Sequence, residues 1–243
     1  MPFIQYLNKQ IPYDIERGNR KKTVALHVTA DCVTLKVPKR LSDEAISKFM
    51  TRKARWIHDR QAVIRHDPLN RIGKHYVTGE TFPYLGNTCR LLVVREAHLE
   101  APVCELRQDC LRVQVPSDLT GEQGGSAVKE AMIDWYQGQA VKKITERLPA
   151  LAQKLGVQPK TVAVKNQKSQ WGSCSRSGAI RFNWKIIMAP VAILDYIIVH
   201  ELCHLIHSNH QPQFWEKVES VIPDCKARKS WLREHSILIN ALT

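Results

Sequence analysis

One stretch near the C-terminal end of the chain constrains its structure more than any other. Residues Asp195–Trp215 read DYIIVHELCHLIHSNHQPQFW, and His200, Glu201 and His204 inside it form an H-E-x-x-H run. On a helix, residues four apart lie on the same face one turn apart, so the two imidazoles can converge on one point. This geometry is typical of a two-histidine zinc site in which the glutamate acts as general base on the metal-bound water.

The residues around this run are apolar on nearly every side, which predicts a helix buried in the protein core. Two histidines and a glutamate in such a helix need a reason, because an unpaired buried charge is costly. A divalent metal ion supplies that reason. The alternative is a pair of hydrogen-bonded core histidines beside an ion-paired glutamate. The apolar positions are Val191, Ile193, Leu194, Tyr196, Ile197, Ile198, Val199, Leu202, Leu205 and Ile206.

A third protein ligand has to come from beyond the second histidine of the run, and two histidines are candidates. His207 lies seven residues after His200, which places it about 10 Å farther along a continuous helix. Zn–N bonds are about 2 Å long, so its ring cannot share the ion. His210 can reach the ion if the helix stops and Ser208-Asn209 forms a turn, since asparagine tolerates left-handed backbone angles. We predict one zinc ion held by the two histidines of the run and by His210, with water in the fourth position.

Composition limits the class of protein and its partners. The chain has 243 residues, 44% of them hydrophobic, which is ample for a core. No run approaches the ~20 apolar residues of a membrane span, and the first ten residues do not form a signal peptide. Seven cysteines without a C-x-x-C pair argue against a disulfide framework and favour a reducing cytoplasm. The net charge of +13 favours nucleotides or nucleic acid as partners, unless it is a basic surface without a specific partner.

The pattern along the chain predicts an α+β fold in two regions. Residues 1–120 form a strand-rich N-terminal region with one basic helix, Ser42–Arg65. Alternating apolar residues around Ala30-Asp31 predict a hairpin there. Gly121–Gly125 resembles a linker, so we place the boundary between residues 120 and 121.

Residues 121–243 are expected to be mainly helical, with a small sheet. A long helix should run to Gly156, a plausible C-terminal cap, and Pro149 should kink or split it. Pro190 should open the metal helix. The other expected elements are strands at Thr161–Lys165 and Ala179–Trp184 and helices at Gln211–Ile222 and Ala227–Leu238.

Several motifs occur together from Ser169 onward. They are the Trp171-Gly172-Ser173-Cys174 loop, Asn183-Trp184, the H-E-x-x-H run and Asn209-His210 before Phe214-Trp215. In this combination the sequence resembles the YgjP-like family of zincin metallopeptidases over most of its length. The resemblance implies a zinc-dependent hydrolase with a zincin-like catalytic region and with His210, the histidine before F-W, as third ligand. The site is also similar to that of the metzincins, although His207 stands where they carry glycine.

The resemblance also implies how a polypeptide substrate would bind. In zincins the strand edge above the metal helix receives an extended peptide as an added strand, and here Ala179–Trp184 is the expected edge. Candidates to stabilise the oxyanion are Tyr196, one turn before the first histidine, and Arg181 or Asn183 on the preceding strand. The Trp171–Cys174 loop is expected to pack against the metal helix rather than supply a nucleophile.

Three functions are compatible with the sequence. The first is a zinc metallopeptidase with Glu201 as general base and a polypeptide as substrate. The second is a metal-dependent nucleotide pyrophosphohydrolase acting on UTP, a competing assignment for the same family. A positive field suits that chemistry, although three histidines without further carboxylates are less typical of magnesium-dependent phosphate hydrolysis. The third is a non-enzymatic zinc-binding or nucleic-acid-binding protein.

Overall fold

Helices and strands both contribute to the fold, which confirms the predicted α+β class. The structure is a computed structural model that describes residues 2–7, 9–19, 23–29, 32–66, 74–167 and 170–239, with the backbone alone at 63–66 and 236–239. The chain divides into two units, residues 1–73 and residues 74–243. All seven cysteines are free, as expected for a chain without a disulfide framework. In the described part of the chain, no helix is long and apolar enough to cross a membrane.

The described residues of the first unit form five short strands and one helix. Strands β1 (Phe3–Tyr6) and β2 (Lys9–Pro12) form an antiparallel pair. Strands β3 (Asp14–Gly18), β4 (Ala25–Val28) and β5 (Val33–Pro38) form a sheet in the order β3-β5-β4. The predicted hairpin is confirmed as β4–β5, while its turn at residues 30 and 31 lies outside the described residues.

Helix α1 (Asp43–His66) is the predicted basic helix. The Ser42 hydroxyl accepts a hydrogen bond from the Ala45 amide at 3.3 Å, as its capping role requires. The buried residues of α1 recur every three or four positions and include Ile46, Met50 and Ile57, which are almost fully buried. The helix therefore forms one side of the first unit's core.

The second unit begins with a four-stranded sheet in the order β6-β7-β9-β8. Its strands are β6 (Thr81–Tyr84), β7 (Asn87–Glu96), β8 (Val103–Arg107) and β9 (Cys110–Pro116). One face of β9 is apolar and completely buried, and it is formed by Leu111, Val113 and Val115. These residues share one core with the long helix α2 (Gly121–Leu155).

The linker interpretation of Gly121–Gly125 is wrong, because these residues are the first turns of α2. Gly124 is buried, and a Cβ atom there would lie 2.8 Å from the Leu119 carbonyl oxygen, so close backbone approach explains the glycine. The expected boundary between residues 120 and 121 therefore falls inside the second unit. Pro149 does not split α2, which ends as predicted at Gly156 in a left-handed conformation (φ 70°).

A second small sheet has the order β10-β12-β11. Strand β10 (Thr161–Lys165) is parallel to β12 (Ala179–Asn183), and β11 (Gly172–Cys174) is antiparallel to it. The expectation that Ala179–Trp184 forms a free edge is wrong, since β12 is paired on both sides. The edge strand beside the metal helix is β11, and it contacts that helix.

The metal helix, α3 (Val191–Cys203), begins after Pro190, as predicted, and follows a short 3-10 helix at Trp184–Met188. Its predicted burial is confirmed, because nine of its thirteen residues are buried. Helices α4 (Pro212–Val221) and α5 (Cys225–Ile239) are the two further helices expected from the sequence. Both contact α3, as does α2, so α3 lies at the centre of the second unit.

Candidate metal centre

The three histidines predicted as ligands come together at the end of α3. One ring nitrogen from each of His200, His204 and His210 lies within 4.8 Å of the others. The Nε2 atoms of His200 and His210 are 3.1 Å apart. Ligand nitrogens around a tetrahedral zinc ion are separated by about 3.4 Å, given Zn–N bonds of about 2 Å. The three rings therefore fit a single zinc-sized cation.

The helix stops where the third ligand requires it to. α3 ends at Cys203, and His204 keeps a helical conformation as its C-terminal cap (φ −69°, ψ −14°). The chain then turns through i to i−3 backbone bonds, and the Asn209 side chain accepts a hydrogen bond from the Gln211 amide at 3.3 Å. The chain bends at Ser208-Asn209, as predicted, but Asn209 is not among the described residues with positive φ. This side-chain hydrogen bond of Asn209, rather than a left-handed backbone angle, supports the bend.

Two hydrogen bonds to backbone carbonyl oxygens fix the surroundings of the ligands, one made by the ring of His204 and one made to the main chain of His210. His204 Nδ1 lies 3.1 Å from the His207 carbonyl oxygen, a bond that leaves His204 Nε2 free to face a metal. Trp215 donates from its indole nitrogen to the His210 carbonyl oxygen at 3.1 Å. The ring of His207 is not part of the cluster, as expected from its distance. A main-chain partner of this kind leaves no pattern in a sequence.

Aromatic packing holds the three imidazoles in position. Phe214 is completely buried, and its ring centroid lies 4.6–5.0 Å from the centroids of all three histidine rings. This contact confirms that Phe214 belongs to the core that supports the third ligand. The buried Nδ1 atom of His200 has no hydrogen-bond partner among the described residues, and the ring packs against Phe214 and Tyr196.

Burial favours the neutral form of two of the three ligand histidines, His200 and His210. The pKa of His200 is lowered from 6.5 to about 3, mainly by burial and then by the charges of His204, His210 and Lys229. Burial also lowers the pKa of His210, with smaller contributions from His204 and Lys229. Neutral imidazole is the form that binds a metal ion, so the lowered pKa values of these two histidines favour metal binding.

Glu201 lies beside the cluster and is 5% exposed. Burial raises its pKa to about 7, so the carboxyl group can exchange a proton near neutral pH. Strand β11 lies directly on this side chain: a Cβ atom on Gly172 would be 2.6 Å from Glu201 Oε1. The expectation that the Trp171–Cys174 loop packs against the metal helix is confirmed. The pKa of Cys174 is raised by burial and by Glu201, which keeps its thiol protonated.

A cavity of about 740 Å³ opens over the cluster. It is lined by the three histidines, by Glu201, by β11 and by residues of α5. The histidine nitrogens converge below this cavity, and the Glu201 carboxyl beside them has a pKa of about 7. Together they form a site that could hold a metal ion, a water molecule and part of a substrate.

Comparison with known proteins identifies the family of this chain. A family profile described as YgjP-like, metallopeptidase domain, matches residues 22–235. The chain belongs to the YgjP-like family. No curated protein matches it. Among solved structures, the metallopeptidase zymogen of Pyrococcus abyssi abylysin is similar, with 26% sequence identity over 37% of this chain and 90% of that chain and a TM-score of 0.35.

The structure distinguishes among the three residues of this YgjP-like chain that were candidates to stabilise the oxyanion. Tyr196 lines the cavity, and its ring centroid is 6.0 Å from that of His200. Asn183 is buried and donates from Nδ2 to the carbonyl oxygens of Gln167 and Gln170, at 2.9 and 3.0 Å. Its amide therefore organises the loop before β11. Arg181 is exposed on β12, and neither it nor Asn183 lines the cavity.

Three residues at the site had no clear signal in the sequence. Gly172 is required by the contact with Glu201, and Lys229 reaches the cavity from α5. Arg147 of α2 forms a two-bond ion pair with Asp195 of the metal helix, at 2.8 and 2.5 Å. The glycine stood inside a recognised motif, but one lysine and one arginine among 36 basic residues could not be distinguished.

Proposed function

We propose that this member of the YgjP-like family is a zinc-dependent peptidase. The observation that carries the proposal is the convergence of three imidazoles beside a buried glutamate in one open cavity. His200, His204 and His210 would hold the ion. A zinc ion in such a site lowers the pKa of a bound water and polarises a carbonyl group.

Glu201 would act as general base and then as general acid. Its raised pKa suits both tasks, because the group has to accept a proton from the attacking water and return it to the leaving amine. Its low exposure also limits competition from bulk water. The carboxylate is held between α3 and the backbone of Gly172, which fixes its direction relative to the histidines.

Tyr196 is the proposed donor to the oxyanion. Its pKa is raised to about 12, first by burial and then by the charges of Cys225 and Glu201, so its hydroxyl keeps its proton. It lies on the same face of α3 as His200, one turn earlier, and lines the cavity. A protonated hydroxyl in that position can donate to developing negative charge.

The substrate backbone would pair with β11 rather than with β12. Trp171 and Ser175 bond to β12 through their backbone, at 2.8 and 2.9 Å. Since antiparallel strands alternate the direction of their polar groups, those of Gly172 and Cys174 point away from β12. An extended polypeptide can therefore add as a further strand along the cavity wall.

The test is Glu201→Gln in zinc-loaded protein. This change keeps the size of the side chain but removes its basicity, so hydrolysis of an unfolded polypeptide should fall by at least about 100-fold while the bound zinc remains. Activity at the original level would disprove the general-base role. No hydrolysis by the unsubstituted protein would favour a non-enzymatic zinc-binding role.

A nucleotide pyrophosphohydrolase is the second candidate function. Two cations, Lys229 and Arg176, line the cavity, and they would suit a phosphate chain. Against this function, Glu201 is the one carboxylate among the described residues that line the cavity, whereas phosphate hydrolysis with magnesium generally uses several. Assays of the same zinc-loaded preparation on UTP and on an unfolded polypeptide would separate the two functions.

The free cysteines also lead us to propose a cytoplasmic location.

A further inference from the structure

Lys229 of α5 occupies a defined place in the cavity wall. Its Nζ atom lies 4.1 Å from the centroid of the Trp215 ring. That ring stacks on His210 with a centroid separation of 5.7 Å, and its indole nitrogen bonds the His210 carbonyl oxygen. The ammonium group is therefore tied through one indole to the third metal ligand. A cation over an indole face is attracted by the ring quadrupole.

The helix that carries Lys229 is itself anchored to the metal helix. Its neighbour Arg228 donates to the Ala192 carbonyl oxygen at 2.7 Å and pairs with Asp224 at 2.8 Å. This contact joins α5 to the first turn of α3. The position of Lys229 relative to the histidines is therefore set by two independent contacts, one through the backbone of α3 and one through Trp215.

The charge of Lys229 is not balanced by an acidic partner in the described part of the chain. No carboxylate there lies within ion-pair distance of it, and the same holds for Arg176, the second cation that lines the cavity. The sole described carboxylate in the lining is Glu201, which the proposed chemistry already uses. An indole face satisfies one side of the ammonium and leaves its other N–H donors free for a ligand.

We propose that Lys229 binds a carboxylate of the substrate next to the scissile bond, so that the preferred substrates are polypeptides with an acidic group at that position. This inference rests on the proposed peptidase function. The acidic group is either an Asp or Glu side chain or the carboxylate at the end of a chain. Lys229 acts as a specificity-determining residue, because it adds binding energy for one class of substrate without taking part in proton transfer.

The test measures binding, so that it does not depend on turnover. Zinc-loaded Glu201→Gln protein is titrated with fluorescent peptides that differ at one residue, Glu, Gln or Lys, each with a free or an amidated C-terminus. The Glu peptide, or the peptide with the free C-terminus, should bind about two- to fivefold more tightly than its neutral match, an amount typical of an exposed ion pair. The difference should shrink in 1 M salt. A preference for the Glu side chain means that Lys229 recognises a side-chain carboxylate, and a preference for the free C-terminus means that it recognises the carboxylate at the end of a chain.

Substitution of Lys229 decides whether this residue is responsible. In the Glu201→Gln background, Lys229→Gln should abolish the preference for the acidic peptide, and Lys229→Glu should reverse it towards the Lys peptide. Lys154→Glu is the matched control, because Lys154 is exposed near the end of α2 and does not line the cavity. It should leave the preference unchanged. Zinc content and the thermal transition are measured for each variant, and Lys229→Gln serves alone if the charge reversal disturbs folding.

Failure of this inference differs from failure of the proposed function. Equal affinity for the acidic and the neutral peptides, or a preference that survives Lys229→Glu, would overturn the role of Lys229. Cleavage assays on the unsubstituted protein test the peptidase function separately. If the unsubstituted protein cleaves peptides irrespective of their charge, the peptidase function is supported and the inference about Lys229 is contradicted. A Lys229-dependent preference in a protein that cuts no peptide would support the inference and contradict the function.

Discussion

The direction of Glu201 depends on a residue that has no side chain. Strand β11 crosses the metal helix so closely that a Cβ atom on Gly172 would lie 2.6 Å from both Cγ and Oε1 of Glu201. Real Cβ atoms do not tolerate such distances, so the carboxylate or the strand would have to move. The glycine therefore positions the proposed base without contacting substrate through a side chain of its own.

We predict that Gly172→Ala lowers kcat by about 10- to 100-fold with zinc content unchanged, since a shift of about 1 Å in a catalytic group is enough for such a loss. Steady-state kinetics on a polypeptide substrate and metal analysis measure the two effects. Gly138→Ala is the control, because Gly138 is exposed in the middle of α2 with no atom near its Cβ position. That change should keep kcat and stabilise the fold by about 0.5–1 kcal/mol. An unchanged kcat in Gly172→Ala would contradict the positioning role.

His200 makes the stability of the metal-free protein depend on pH. Its pKa is about 3 in the folded chain and about 6.5 when unfolded, so the unfolded chain binds the extra proton between these values. The contribution of His200 to the free energy of unfolding should therefore fall as the pH drops below about 6.5, by up to ~1.4 kcal/mol per pH unit, while the raised pKa of Glu201 acts in the opposite direction. Urea titrations of metal-free protein at pH 7 and pH 5 measure the slope. His200→Asn should flatten it by about one proton, and an equal slope in both proteins would refute the assignment.

At the scale of elements, α3 is held by its neighbours more than by its own polar contacts. Its residues pack against α2, α4, α5 and β11, and one ion pair, Arg147–Asp195, ties it to α2. The Arg147 side chain is 39% exposed, which screens the pair, whereas Asp195 is 14% exposed. We therefore expect the pair to contribute modestly.

A double-mutant cycle with Arg147→Met and Asp195→Asn should give a coupling energy of about 1 kcal/mol in the free energy of unfolding. Chemical denaturation of the four proteins measures it. The exposed pair Lys143–Glu146 on the same helix is the comparison, and its coupling should be smaller. A coupling for Arg147–Asp195 no larger than that of the exposed pair would show that apolar packing alone joins the two helices.

Elements with a clear apolar period could be predicted from the sequence, and elements defined by their partners could not. The strand at Thr161–Lys165 has the predicted bounds, because its alternation is local information. Strand β11 has three residues, too few for any alternation, so the pairing that covers β12 was missed. The linker interpretation of Gly121–Gly125 fails for a similar reason, because Gly124 allows a close approach of the Leu119 backbone that only the folded chain contains.

The same distinction applies to the side chains of the site: those set by local sequence could be predicted, and those set by distant partners could not. Residues of the H-E-x-x-H run could be placed together because the helix itself sets their spacing. His210 also needed a helix end, which Ser208-Asn209 indicated, although the backbone there turns differently from the prediction. The partner of His204 is a main-chain oxygen, and Lys229 reaches the cavity from a helix more than twenty residues later, so neither has a local pattern.

On the scale of the whole molecule, every residue of the proposed site lies in the unit formed by residues 74–243, which has its own hydrophobic core. We predict that a chain of residues 74–243 folds and binds one zinc ion. A chain of residues 121–243 should not, because it lacks the strands β6–β9 whose apolar residues share the core with α2. Circular dichroism and zinc titration distinguish the two. Cooperative folding of residues 121–243 would restore the boundary first expected from the glycine-rich stretch.

The central claim is that three imidazoles, from His200, His204 and His210, bind one divalent ion. The most direct measurement is the zinc content per chain, by mass spectrometry after dialysis, of the unsubstituted protein and of two alanine variants. Zinc should be present at one ion per chain in the unsubstituted protein and in His207→Ala, which keeps the carbonyl bonded to His204. It should be largely lost in His210→Ala, since a ligand has been removed. Equal zinc in His210→Ala and in the unsubstituted protein would contradict the claim.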